Sequence, residues 1–85
     1  MKSPVEVHKQ EILNSQGKKV RHFKGNEYLI LGFFEHTEKP GEIMVGYKAL
    51  YGEYKNYVRP LDMFVSEVDE ERQKEYNQKF RFEVI

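Results

Sequence analysis

An alternation of period two dominates the middle and the end of the chain. Between Glu27 and His36, the residues Tyr28, Ile30, Gly32 and Phe34 share one side, with Leu29, Leu31 and Phe33 on the other. Between Ile43 and Leu50, Ile43, Val45, Tyr47 and Ala49 alternate with Met44, Gly46, Lys48 and Leu50. Successive side chains of a strand point to opposite faces, so both segments predict strands. The polar stretch Thr37 to Glu42, with Pro40-Gly41 inside it, predicts that they pair as a hairpin. Both faces of the first strand carry large apolar residues, and Gly32 is where it is expected to bulge or bend.

Shorter elements surround this pair. Val20 to Phe23 reads as a strand, Lys24-Gly25-Asn26 as a tight turn, and Tyr57 to Arg59 as a strand halted by Pro60. Pro60 to Phe64 predicts a single helical turn carrying two large apolar side chains inward, and Val65 to Val68 resumes extended chain. Asp69 to Gln78 is polar throughout, acidic at its start and followed by Lys79, which predicts a short exposed helix. Phe80, Phe82 and Val84 alternate with Lys79, Arg81 and Glu83, predicting a last strand that buries one face. At the other end, Ser3, Pro4 and Glu6 supply a cap, a first-turn proline and a capping-box acid, so Pro4 to Ser15 predicts a helix with a thin stripe of Val5, Ile12 and Leu13. Val5, Val7 and His8 also fit a short alternating strand.

These elements predict one mainly-β domain: a small barrel of the SH3 type spanning 18–85, with a helical extension over 1–17 and a short helical segment before the last strand. The composition narrows its action. The chain has 85 residues, of which 39% are hydrophobic, enough for one small core and little room for an enclosed active site. Fourteen basic and fourteen acidic residues give a net charge of zero, so affinity for nucleic acid has to come from a local patch. There is no cysteine, which removes disulfides, thiol nucleophiles and thiolate metal sites. No apolar run is long enough for a membrane span or a signal segment, and a cytoplasmic protein with no membrane partner is the expectation.

Three words, His22-Phe23-Lys24-Gly25, Tyr47-Lys48-Ala49-Leu50-Tyr51-Gly52 and Val58-Arg59-Pro60-Leu61-Asp62-Met63-Phe64, resemble in order and interval a bacterial family known as Domain of Unknown Function 1653. The resemblance covers about Lys18 to Val68, with Phe80-Arg81-Phe82 similar to the family's closing strand. It implies an SH3-type barrel, carries no activity, and points to His36, at the head of His36-Thr37-Glu38. Lys48, Glu53 and Tyr57 stand where arginine, aspartate and tryptophan are common in the family. Lysine for arginine would remove planar bidentate recognition if that position binds an anion.

Tyr47, Tyr51, Tyr54 and Tyr57 fall on or beside loops that such a barrel brings together. Tyrosine offers broad contact area and a polar tip, which suits a peptide or a stacked base; the same rings also serve to close the open end of a small core. Lys18, Lys19, Arg21, His22 and Lys24 crowd one stretch, with Arg59 and Lys48 in neighbouring strands, the pattern of a nucleic-acid groove set among many glutamates. Arg59 before the rigid Pro60 is placed to grip a carboxylate or phosphate, or else to pair with Asp62 or Glu53. Of the histidines, His22 either forms an acid/base dyad with Glu35 or supports the turn at Gly25. No phosphate-loop, dinucleotide or paired-histidine metal motif is present, so no enzyme activity, cofactor or metal is expected. The expected function is a binding module for a protein or peptide segment, the alternative an RNA-binding module, with the final strand available to pair two copies of the chain.

Overall fold

The computed structural model describes residues 2–85. Helix α1 (Pro4–Leu13) starts where its capping residues require, with the Ser3 hydroxyl accepting from the Glu6 amide at 3.2 Å. Strands β1 (Lys19–His22), β2 (Glu27–Glu35), β3 (Ile43–Ala49) and β4 (Asn56–Pro60) follow. Next come the helical turn α2 (Leu61–Phe64), helix α3 (Glu70–Tyr76) and strand β5 (Phe82–Val84). The protein is mainly β: one antiparallel sheet in the order β4-β3-β2-β1-β5, with short helices around it. No helix among the described residues is long and apolar enough to cross a membrane.

The hairpin of β2 and β3 forms as its pattern requires, and the register slips between Ile30 and Gly32. The slip corrects the simple alternation read for β2. One extra residue, Leu31, reverses the parity, so Phe33 joins Tyr28 and Ile30 on the core side and Phe34 turns outward. Gly32 lies opposite Gly46, and the Phe34 ring covers this pair; a Cβ on Gly46 would stand 2.9 Å from a Phe34 ring carbon. The glycines make room for an aromatic that shields backbone on the outer face.

The inner face holds the core. Val20, Ile30, Val45, Tyr47 and Phe82 come from four strands, and Leu61, Phe64 and Val65 close over them from α2 and its C-terminal cap. Phe64 and Phe82 stack at 4.1 Å between centroids with an interplanar angle of 1°. The helix α1 contributes more than the expected thin stripe, because Ile12 is wholly buried in the same cluster and His8 is buried as well. The last strand is shorter than its alternation suggests. Phe80 makes only an isolated bridge with Glu67, with bends at Lys79 and Arg81 on either side and its ring flat against His8 at 3.9 Å, and regular pairing with β1 begins at Phe82.

Candidate functional site

The inner face of the sheet ends in a ring of aromatic side chains. The β3–β4 register sets Tyr47 opposite Tyr57, and Val45 opposite Arg59, so Tyr57 and Arg59 lie on the same face as the core. From β1, the same alternation turns His22 inward beside Val20 and sends Lys19 and Arg21 to the opposite face. Tyr28, at the start of β2, meets Tyr47, Tyr51 and Phe82 edge to face at 5.4, 5.6 and 5.6 Å. Together His22, Tyr28, Tyr47, Tyr57, Arg59 and Phe82 line a concavity of about 190 Å³. A second hollow of about 240 Å³ shares Tyr57 with it and continues past Tyr51 to Glu53 and Lys55. Larger hollows lie along α1; one has no aromatic ring in its lining, and in the other the two rings, His8 and Phe80, are stacked on each other.

The polar groups here are mostly donors. The Lys24 amide donates to His22 Nδ1 at 3.1 Å, so that nitrogen carries no proton and the neutral ring keeps its hydrogen on Nε2. Burial, followed by the positive charges of Arg81, Arg59 and Lys24, lowers the His22 pKa to about 4, which keeps the ring neutral near pH 7. Arg59 packs over the Phe82 ring at 5.6 Å. Among the described residues no carboxylate pairs with it. The two acids expected to do so are engaged elsewhere, Asp62 with Lys9 at 3.1 Å and Glu53 with Lys55 at 3.5 Å. Arg81 donates from Nε to Ser66 Oγ at 3.1 Å, and burial and then Arg59 and Arg72 pull its pKa below the usual guanidinium value. Tyr28 and Tyr51 share a hydroxyl hydrogen bond at 2.9 Å, and burial followed by this bond pushes the Tyr28 phenol upward, holding it protonated.

Of the residues singled out from sequence, Tyr47, Tyr57, Arg59 and His22 meet in one concavity and Tyr51 borders it through Tyr28. Tyr47 is buried, so it forms a wall, while Tyr51 and Tyr57 are each 42% exposed. Tyr54 stands apart: its backbone is left-handed at φ 55°, its side chain is exposed, and its ring has no aromatic partner among the described residues. Lys24 lies beside the site, over Phe23 at 5.9 Å. His36 sits past the far end of β2 from Tyr28, where its Nδ1 accepts from the Glu38 amide at 3.1 Å and so holds a turn. Glu35 is at that far end too, so the His22–Glu35 dyad does not form; His22 supports the turn at Gly25 instead, its carbonyl accepting from the Gly25 amide at 2.7 Å. The basic run is divided, with Lys19 paired to Glu27 at 3.8 Å and Arg21 bound to Gln78 at 3.4 Å on the other face.

Three contributors were not read as site residues. Tyr28 and Phe82 were assigned to strand faces without being linked to the tyrosine cluster, and Arg81 was counted only as an alternating polar position. The signal for Tyr28 and Phe82 was present, since both fall on the inward phase of their strands. Arg81 carried none, because it is drawn in by the loop that joins α3 to β5.

Fold and site thus define a small mainly-β domain with an aromatic, cation-bearing concavity on its inner face. The family described as Protein of unknown function (DUF1653) matches residues 18–84, and the chain belongs to it. No curated protein and no solved structure matches the chain.

Proposed function

We propose that this protein is a non-enzymatic binding module on an SH3-type barrel, and that it takes an extended protein or peptide segment across the groove from Tyr28 and Tyr57 to Tyr51. The barrel reading rests on the strand order and on the helical turn α2 between β4 and β5. The observation that carries the binding role is the pair of half-exposed rings, Tyr51 and Tyr57: both line one hollow, and Tyr57 also lines the adjoining one, which the buried Tyr47 and Phe82 wall. Rings fixed from beneath lose little entropy when a ligand covers them. Both β1 cations, Lys19 and Arg21, lie on the face opposite the tyrosines, which favours a peptide over RNA because they do not form one groove.

Selection of a random peptide library on the full chain tests the reading. Enriched peptides should bind the folded Tyr57→Ala variant roughly tenfold more weakly, and their affinity should change little between low and physiological salt. The reading fails if no enriched peptide depends on Tyr57. Binding of a labelled single-stranded RNA with steep loss in salt would replace it with the nucleic-acid alternative.

A further inference from the structure

The concavity has an excess of donors over acceptors that the fold itself does not use. Arg59 supplies a guanidinium with no carboxylate partner among the described residues, and the orientation of His22 fixed by Lys24 leaves Nε2–H as a second donor on the same lining. The buried Phe82 and Tyr47 and the half-exposed Tyr57 form apolar walls, which strengthen a polar contact made against them. The charge of Arg81 also acts on His22, although Arg81 does not line the hollow. A water molecule takes about 30 Å³ in the liquid, so roughly 190 Å³ admits a small acidic group and its stem but little more.

We infer that this concavity binds a carboxylate of the peptide segment, one oxygen on the Arg59 guanidinium and the other on His22 Nε2–H, with the stem of the acidic residue between Tyr57 and Tyr47. The inference rests on the peptide-binding reading and specifies its anchor. A planar monoanion with two oxygens matches one guanidinium and one neutral N–H. A phosphate dianion carries more charge than the one guanidinium of the lining balances, and the lining offers no second cation. The carboxylate has two sources, a chain terminus or an acidic side chain, and both present the same group.

The test follows the ring resonances of His22 and Tyr57 in the full chain while four probes are added at matched ionic strength. These are acetyl-Ala-Ala with a free carboxylate, acetyl-Asp-amide, acetyl-Ala-Ala-amide and inorganic phosphate. At least one of the two acids should shift both rings saturably, the amide should not, and the acid that binds more tightly identifies the source. Saturation with that acid should raise the His22 pKa from about 4, since a bound carboxylate favours the imidazolium. Arg59→Gln should weaken binding roughly tenfold and Arg59→Lys by less, because lysine keeps the charge and loses the planar fork. Equal shifts from amide and acid, tighter binding of phosphate than of either acid, or unchanged binding in Arg59→Gln would each overturn the inference. Library peptides that still depend on Tyr57 would then show that only the anchor is wrong; absence of any such peptide would remove the broader reading with it.

Discussion

Two histidines contact Phe82, His8 at its backbone carbonyl and His22 at its ring, and their surroundings differ in kind. At the seam between α1 and β5, His8 is buried, its Nε2 donates to the Phe82 carbonyl at 2.9 Å, its Nδ1 lies 3.3 Å from a Glu11 oxygen, and its ring stacks on Phe80. Every polar atom there has a partner inside the molecule. At the mouth between β1 and β4, His22 meets the Phe82 ring edge-on at 5.1 Å, spends one nitrogen on a turn, and shares its hollow with an unpaired guanidinium. A satisfied buried polar group holds a fold together; donors left facing a hollow have their partner outside the chain. On the proposed function, the seam is the structural member of the pair and the mouth the recognition surface.

The comparison fails most visibly if Phe82 does not join the two regions. Phe82→Ala removes a fully buried ring in contact with Phe64, Tyr47 and Tyr28, and should cost about 3–5 kcal/mol in chemical denaturation, the largest effect of any substitution here. A loss below 1 kcal/mol would mean that seam and mouth are packed independently. Ile12→Ala comes next. The wholly buried Ile12 belongs to the core although it precedes the segment matched by the family, and its truncation should cost about 2–4 kcal/mol. A near-neutral result would make α1 an appendage. His8→Ala should cost about 2 kcal/mol by leaving the buried Phe82 carbonyl without its donor and Phe80 without its stacking partner. Stability unchanged by this substitution would show that the seam is not the structural member of the pair.

The two regions were legible in the sequence to different degrees. The mouth was largely visible because strand alternation is local: Tyr47, Tyr57 and Arg59 each read as inward or adjacent from their own strands, and hairpin pairing brings them together. What the alternation could not supply was parity beyond the bulge at Leu31, which moved Phe34 to the outer face and Phe33 to the inner one. The seam was nearly invisible. His8 lies in a helix whose apolar stripe is thin, and its partners Phe80 and Phe82 are more than 70 residues away, the Phe82 contact spanning 74 positions. A polar side chain buried by tertiary packing leaves no periodic trace, and a histidine set between Val7 and Lys9 reads as surface. Tyr54, grouped by residue type, and His36, pointed to by the family resemblance, lie apart from the mouth, one in a left-handed turn and the other holding a turn through its ring nitrogen.

The smallest effect sharpens the contrast through pH. His22 has its pKa lowered from 6.5 to about 4 in the folded chain, by burial first and by Arg81, Arg59 and Lys24 after it. The unfolded chain therefore binds more protons than the folded one between those two values. Stability present above pH 6.5 is lost as the pH falls toward 4, and the His22 contribution is flat below that. Solvent at the mouth screens the effect to about 1 kcal/mol. Carboxylates titrate in part of the same range, so the measurement is the difference between wild type and His22→Asn, whose side-chain oxygen can still accept from the Lys24 amide. In urea denaturation across pH 4 to 7, the wild type should lose stability more steeply than His22→Asn as acid is added. Parallel curves would show that neither burial nor the neighbouring cations shift His22 in the folded chain, and the mouth would then not differ from the seam in this respect.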